Sequence, residues 1–377
     1  MIFSTSSFTR AILFIFAAFF CLSGCAAQHE SPTRAVVVPP DDEGGLKIAV
    51  FPMVNYSATP APLNVIHQLL IDGLNQKGLN ILASDVVDSV LARHRIRYVA
   101  GINERTALKF KTEAGAEAVL ITSLELYSEV SPPKIALSSR LVSTGNKTQI
   151  LWMSGVGLSG DDSPGLLDLD LIEDPRKLRA VAIQYLADSL SDYLLDEHGR
   201  VEGPGAQNKF KPKVAFHSPI LDPARNYTMA VIPFYNLSER KYGGDIIATQ
   251  FIQSLKKHEN FIVVEPGIVR QTLLDVRIIM GDGISLSDAD LLFRRLNVDL
   301  ILSGKVMDYQ DYQGPAGKPK IDFSAQLMER KSREVVWAVQ SYNQGDDRVY
   351  FFDWGRVNTA HAMAAQMVQL AVKDMVE

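Results

Sequence analysis

Short apolar runs alternate with amphipathic stretches along most of the chain, and this order occurs twice. The runs 48–51 and 229–232 each stop at a proline, which is typical of a buried strand followed by a loop. The stretch after each run places apolar residues at helical spacing, which predicts a helix. The residues at this spacing are Val65, Ile66, Leu69, Leu70 and Leu74 in the first half and Ile246, Ile247, Phe251, Ile252 and Leu255 in the second.

The remaining pattern predicts the same elements in both halves. After the first helix it predicts strands at 79–82 and 261–264, then helices from 85 and 267 and helices at 104–113 and 288–296. Strands follow at 118–126 and 300–307, and then a pair of strands in each half, at 134–142 with 149–158 and at 321–329 with 334–341. Helices at 177–195 and 357–376 close the two halves. Each half therefore has the order β-α-β-α-α-β-β-β-α. The predicted fold class is mixed α/β (α+β), with two duplicated three-layer modules that each contain a mixed sheet of about five strands and packed helices.

Aligned residues indicate an internal duplication. Residues 47–55 match 228–236 at an offset of 181, and residues 118–121 match 300–303 at an offset of 182. We interpret this as two copies of one domain, each about 150 residues long, an ordinary domain size. The predicted organisation is a signal peptide at 1–24, a lipidated tether at 25–45, a first module at 46–197, a linker at 198–226 and a second module at 227–377.

The amino-terminal apolar run has a different pattern. It follows Arg10, and at about 14 residues it is shorter than the roughly 20 residues of a membrane-spanning helix. It ends in Leu22-Ser23-Gly24-Cys25, which resembles the lipobox cut by bacterial lipoprotein signal peptidase. An ordinary secretory signal is the alternative. We expect Cys25 to carry diacylglycerol and an N-acyl chain such as palmitate, with no other cofactor.

Lipidation of Cys25 predicts the compartment and accounts for the cysteines. Cys21 lies in the segment that would be removed, so no thiol remains for a disulfide, a zinc site or a nucleophile. Ala26 follows Cys25 where an aspartate would resemble the inner-membrane retention signal of enterobacteria. The resemblance implies anchoring in the inner leaflet of the outer membrane, facing the periplasm.

The charge of the chain argues against nucleic acid as a partner. The formal net charge is −5, and removal of Arg10 makes it one unit more negative. The partners we expect are the membrane, through the lipid, and periplasmic or outer-membrane proteins. A homo-oligomer is left open.

Two repeated motifs carry a family resemblance. The strand and loop at 48–55, repeated at 229–236, resembles the amino-terminal module of TolB and the periplasmic domain of the curli-secretion lipoprotein CsgG. Residues 115–121 and 297–304 look like a core strand of those proteins, and the peptidoglycan-synthase activating lipoprotein LpoB is similar at the same places. The resemblance implies a fold rather than an activity. CsgG and LpoB carry one such domain after the anchor, whereas this chain carries two.

The resemblance to CsgG also implies hairpin strands that insert into a membrane. Residues 134–142 alternate in the required way, but their outward face has no aromatic girdle. The equivalent hairpin at 320–341 is rich in charge. The pattern therefore favours a half-buried hairpin in water over a lipid-facing one.

The sequence gives little support for catalysis or metal binding. Asp168, Asp170, Glu173 and Asp174 could hold calcium, although charges ahead of a helix amino terminus explain them more simply. Motifs for nucleotide phosphates, dinucleotides, zinc proteases and serine nucleophiles are absent from the sequence. We expect no metal site, no catalytic residues and no enzymatic activity.

Two sets of residues are candidates for binding a partner. Asn55 and Asn236 recur at equivalent loop positions, where a side-chain-capped turn is the simpler interpretation. The second set is an aromatic cluster that could pack at the start of the last helix or form an exposed interface. Its members are Tyr350, Phe351, Phe352 and Trp354.

These observations predict a lipid-anchored periplasmic protein that works by binding other proteins. We expect an accessory or scaffold role in envelope assembly, secretion or surface-structure biogenesis. The alternatives are a CsgG-like oligomeric secretion-channel subunit and a lipoprotein that binds the cell wall or a ligand.

Overall fold

The structure is a computed structural model that describes residues 45–162, 171–195, 208–222, 224–278, 283–312, 314, 317–349 and 355–376. Both predicted modules lie within one compact unit. Each module is built on its own mixed sheet with helices packed on it, so the predicted fold class is confirmed.

The first module contains a five-stranded sheet in the order β1-β3-β4-β5, with β2 also paired to β3. The first two strands run parallel to β3, and β3, β4 and β5 are antiparallel. The strands are β1 (Ile48–Val50), β2 (Val54–Asn55), β3 (Ala118–Ser128), β4 (Lys134–Ser143) and β5 (Ile150–Ser159). The helices are α1 (Leu63–Gln76), α2 (Ser84–Arg93), α3 (Glu104–Ala114) and α4 (Pro175–Leu195).

The second module repeats this arrangement in a seven-stranded sheet, β6-β12-β11-β10-β7-β9, with β8 also paired to β10. Its strands are β6 (Val214–His217), β7 (Tyr227–Val231), β8 (Tyr235–Asn236), β9 (Phe261–Val263), β10 (Leu300–Gln310), β11 (Lys320–Glu329) and β12 (Val335–Gln344). Its helices are α5 (Gly243–Leu255), α6 (Pro266–Asp275), α7 (Leu286–Leu296) and α8 (Ala360–Val376).

The order of elements agrees with the predicted one, apart from local differences such as the two-residue strands β2 and β8 in the predicted loops. The predicted strand at 79–82 is reduced to one bridge between Ile48 and Ile81, because β1 has only three residues and α2 begins at Ser84. Within the predicted linker, Val214–His217 forms β6, which pairs with β12 at the edge of the second sheet.

Local sequence explains several helix ends. Asn103 caps α3 by accepting a hydrogen bond from the Thr106 N–H at 2.9 Å, and the helix ends at Gly115 with φ +66°. Glu265 precedes Pro266 and caps α6 with its carboxylate. This cap also contacts the first module, as described below.

The modules share part of their hydrophobic core. The first sheet buries one face against α1 and α4, and its other face lies against α2, α3 and the second module. One cluster of buried side chains includes Phe51 and Phe110 from the first module and Phe251 and Met367 from the second. The two copies are therefore joined by a shared cluster of buried side chains.

The second module covers what we call the shared face of the first sheet. This face carries Lys134, Ser138 and Arg140 on β4 and Gly155 and Gly157 on β5. The glycines allow α8 to come close, since a Cβ at Gly157 would lie 2.8 Å from Cδ2 of His361.

The expectation of a half-buried hairpin is wrong for β4. Every residue from Lys134 to Val142 is buried, because α4 covers one face of the strand and the second module covers the other. Lys134 and Arg140, which the alternation placed toward water, lie inside the protein.

Among the described helices, none combines the length and the apolar character needed to cross a membrane.

We expect Gly267→Ala to destabilise the contact between the modules. A Cβ at this helical position would lie 2.3 Å from the backbone nitrogen of Ile102, so the two backbones must separate. Overpacking of this kind costs about 1–3 kcal/mol of unfolding free energy, measured by urea denaturation. Gly145→Ala, which has no heavy atom within 4 Å of its Cβ, is the control. Equal effects of the two substitutions would contradict the proposed steric cause.

Candidate functional site

The recurring asparagines form matching turns. Asn55 Oδ1 accepts a hydrogen bond from the N–H of Ser57 at 2.9 Å, and Asn236 Oδ1 accepts one from the N–H of Ser238 at 3.3 Å. In each loop, the asparagine amide donates to the backbone carbonyl four residues later. These bonds make each loop a side-chain-capped turn.

The two asparagine loops meet where the modules join. The Arg240 guanidinium donates hydrogen bonds to the backbone carbonyls of Ser57 and Glu125. The rings of Tyr56 and Tyr242 lie 4.8 Å apart. The loops thus contact each other, and binding of an outside partner by Asn55 or Asn236 stays a prediction.

The other predicted site residues fall largely outside the described part of the chain. Asp174 is described, and its carboxylate accepts the Arg176 N–H at 2.9 Å at the start of α4. In the described ranges, no group of three or more His, Cys, Asp or Glu side chains could hold a metal ion. The predicted residues that lie outside are Leu22, Ser23, Gly24, Cys25, Asp168, Asp170, Tyr350, Phe351, Phe352 and Trp354.

A buried ion pair joins the modules. Arg140 on β4 donates from Nε and Nη2 to the two carboxylate oxygens of Glu265, both at 3.0 Å. Glu265 is fully buried and also accepts the backbone N–H groups of Ile102 at 3.2 Å and Gly267 at 3.3 Å. Arg140 further donates to the carbonyl of Ala100 at 2.6 Å. One carboxylate thus caps α6 and neutralises a charge of the other module.

A second polar contact lies beside the glycines of β5. His361 Nδ1 on α8 is 2.7 Å from a carboxylate oxygen of Glu125 on β3, and both side chains are buried. Gln250 Nε2 on α5 lies 3.3 Å from the same nitrogen. Polar groups of α5 and α8 therefore meet a carboxylate on the first sheet.

A third polar contact lies at the start of β4. Lys134 donates to the carbonyl of Asn358 at 2.9 Å, and burial lowers the pKa of its ammonium. Asp311 accepts the N–H of Ala360 at 2.7 Å with one oxygen, while its buried Oδ2 has no hydrogen-bond partner. Burial raises the pKa of the Asp311 carboxyl.

The first of these contacts borders a cavity of about 420 Å³ between the modules, which we call the inter-module cavity and which Arg140 and Ala100 help to line. This volume is within the range of about 300–1,000 Å³ typical of small-molecule sites. Most of the wall is apolar, and the polar residues come from both modules. The polar and aromatic lining residues are Tyr56, Arg97, Tyr98, Ser123, Arg140, Tyr242, Asp245, Thr249 and Arg270.

The charges of the cavity are unevenly distributed. Asp245 lies in the first turn of α5, and burial raises the pKa of its carboxyl group. A hydrogen bond from its own backbone N–H opposes this shift but does not cancel it. The Arg270 guanidinium lies over the Tyr98 ring, 4.0 Å from its centroid. Burial raises the pKa of Tyr56 and of Tyr98, so both hydroxyls are neutral donors. Such an arrangement can bind a polar ligand.

Sequence reasoning missed this cavity. Its lining comes from segments far apart in the chain, such as the loop 97–100 and the start of α6 at 266–270. The available signal was the charge on β4, because an arginine on a buried strand requires a partner. The alternating pattern assigned that face to water instead.

Comparisons with known proteins identify no family for the chain. No protein-family model matches the sequence. No curated protein matches it either.

Several solved structures are similar to part of the chain. The PelC dodecamer from Paraburkholderia phytofirmans is 16% identical, covers 42% of this chain and 96% of its own, and has a TM-score of 0.28. Lipoprotein GNA1162 from Neisseria meningitidis is 19% identical, with coverages of 38% and 98% and a TM-score of 0.28. The LpoB C-terminal domain from Escherichia coli is 16% identical, with coverages of 33% and 88% and a TM-score of 0.25.

These likenesses include bacterial lipoproteins, LpoB among them. Their identities and TM-scores are too low to support a function for this chain. The resemblance to TolB and to CsgG stays an expectation from the sequence.

We expect Glu265→Gln to destabilise the protein by about 3–5 kcal/mol, because it leaves the buried Arg140 guanidinium without a counter-charge. Urea denaturation at neutral pH measures the change. Asp290→Asn removes the carboxylate of an exposed pair with Arg333 at 3.1 Å and should change stability by at most about 1 kcal/mol. Similar losses in the two variants would contradict a structural role for the buried pair.

Asp311→Asn tests the buried carboxyl through pH. Because the folded-state pKa of Asp311 is raised, the folded protein binds a proton more tightly than the unfolded chain does. The wild type should therefore lose stability relative to the variant as pH rises from about 4 through the folded-state pKa. Denaturation midpoints at several pH values measure this difference, with Asp192→Asn on the surface as control. The expectation is overturned if the stability of the variant minus that of the wild type falls as the pH rises.

Proposed function

We propose that the chain is a lipid-anchored protein of the bacterial envelope that acts without catalysis, as an accessory or scaffold in assembly, secretion or surface-structure biogenesis. The lipobox ending at Cys25 supports the anchor, and Ala26 supports the inner leaflet of the outer membrane. The periplasmic side is then where the two modules meet their partners.

The observation that carries a binding role is an uncovered sheet face. The second sheet has a face equivalent to the shared face of the first sheet, which we call the open face. Strand register makes Gln326 equivalent to Arg140, because Ser303 pairs with Gln326 as Ile121 pairs with Arg140. The open face carries Lys320, Ser324, Gln326, Gln340 and Tyr342, all partly or fully exposed.

Exposed apolar side chains extend the open face. Phe216 on the edge strand β6 is 50% exposed, and Val214 and Tyr342 are exposed on the same side of the sheet. A surface with aromatic anchors and a polar surround is typical of a protein interface. A face that contacts only water would be expected to carry polar side chains at these positions. The apolar and aromatic side chains therefore favour a face that is covered by a partner.

The occupant we propose is a second copy of the chain. The second module contacts the first through α5 and α8. The equivalent helices of the first module are α1 and α4, and their outer sides are exposed. Val65 on α1 is 49% exposed, whereas Ile246 at the equivalent position of α5 is buried. Val181 is also exposed, and it lies on α4, the first-module helix equivalent to α8. A second copy can therefore place α1 and α4 on the open face, in a head-to-tail contact.

The channel alternative receives less support from the geometry. Both faces of β4 are covered by protein, so this strand offers no apolar face to lipid. The proposed assembly requires no strand in the membrane. The ligand-binding alternative rests on the inter-module cavity and is treated separately below.

The mass of the full-length lipidated protein in mild detergent tests the proposal. We expect particles larger than one chain, with the mass rising with concentration. Phe216→Ser on one docking face and Val65→Ser on the other should each shift the population toward monomers. Leu108→Ser removes an exposed side chain from α3, outside both faces, and is the matched control.

A monomer at every concentration would overturn the proposed self-association. Equal dissociation by Leu108→Ser would show that the contact uses another surface.

A further inference from the structure

The inter-module cavity contains a carboxylate that has no side-chain partner among the described residues. Asp245 lines the cavity, and no described side chain forms a hydrogen bond or ion pair with it. An acidic residue in the first turn of a helix is stabilised by the helix dipole, which explains its presence at the start of α5. It does not explain why the carboxylate is partly buried at a cavity wall, where loss of water disfavours its charge.

The opposite charge is provided by arginines at another part of the wall. Arg270 uses the face of its guanidinium to stack on Tyr98, which leaves the N–H groups at its edge available to a ligand. Arg97 is an exposed residue of the same wall. Within the described chain, neither arginine forms an ion pair. Arg140 is different, because Glu265 already neutralises it.

Aromatic rings and hydroxyls complete the wall. The rings of Tyr56 and Tyr242 lie 4.8 Å apart with their planes tilted by 32°, and both side chains line the cavity. Tyrosine faces attract cations, and neutral tyrosine hydroxyls can donate to carbonyl or carboxylate oxygens. The side chains of Ser123 and Thr249 add further hydrogen-bonding groups.

We propose that the inter-module cavity binds a short zwitterionic peptide, whose terminal ammonium pairs with Asp245 and whose terminal carboxylate pairs with Arg270. A purely anionic ligand would leave Asp245 unpaired, and a purely cationic ligand would leave Arg270 and Arg97 unpaired. The apolar wall, which includes Val54 and Ile252, fits small aliphatic side chains between the two charged ends.

This proposal is independent of the proposed docking of a second copy. The cavity lies between the two modules of one chain and shares no residue with the open face. The particle mass can therefore be measured on the cavity variants to separate the two ideas.

Calorimetric titration of the full-length protein in mild detergent tests the site with three matched probes. Trialanine carries both charged ends, N-acetyl-trialanine lacks the ammonium, and trialanine amide lacks the carboxylate. We expect trialanine to bind, and each blocked peptide to bind at least about tenfold more weakly, as the loss of one charge-assisted hydrogen bond implies.

Two variants assign each end of the peptide to a residue. In Asp245→Asn, trialanine should bind about tenfold more weakly and N-acetylation should cause no further loss. In Arg270→Gln, amidation should cause no further loss. This cancellation is the sign of direct coupling between a residue and a ligand group, which a general structural defect would not produce.

Exposed residues of the same types provide controls. Asp192→Asn on α4 and Arg105→Gln on α3 should leave the binding of all three peptides unchanged. The proposal is overturned if trialanine does not bind at millimolar concentration, if the three peptides bind equally, or if blocking an end remains harmful in the variant that lacks its assigned partner.

Discussion

The contact between Arg140 and Glu265 determines how the rest of the molecule is arranged. Arg140 places a permanent charge on a buried strand of the first module, where water cannot solvate it. Its counter-charge comes from the second module, and the same carboxylate accepts two backbone N–H groups at the junction. Because an unpaired buried charge is far costlier than a paired one, neither module can keep its present surface without the other. The duplicated modules are therefore two parts of one folded body.

The two copies have diverged at the positions where they meet. Gly155 and Gly157 on the first sheet leave room for α8, while strand register places Gln340 and Tyr342 at the equivalent positions of the second sheet. Arg140 corresponds to Gln326 in the same way. The interface inside the chain is thus specific to the first sheet, and the equivalent face of the second sheet has a different chemical character. A duplicated fold has in this way acquired two unlike faces.

Periodicity predicted most of the strands and helices in their order, because most elements bury an apolar side in their own module. It missed β6, which is exposed, and it predicted a strand at 79–82 that is reduced to one bridge. It was insufficient for β4, because the alternation of Lys134 and Arg140 with apolar residues resembles that of a strand with one solvent-exposed face. The missing information is the partner, since Glu265 lies 125 residues away in sequence. The asparagine loops were predictable as turns because their hydrogen bonds are local, at Asn55 as at Asn236. The cavity was not, because its walls come from both copies.

The interface and the cavity also depend on one another through a single side chain. Besides binding Glu265, Arg140 donates to the carbonyl of Ala100, which belongs to the loop that carries Arg97 and Tyr98 into the cavity wall. The group that joins the modules therefore also positions part of the cavity. A ligand that bridges the two walls would in turn stabilise the joined state, because binding to the folded form alone shifts the folding equilibrium toward it. Binding of such a ligand and joining of the modules would for this reason be linked in free energy, and a substitution at Arg140 would alter both at once.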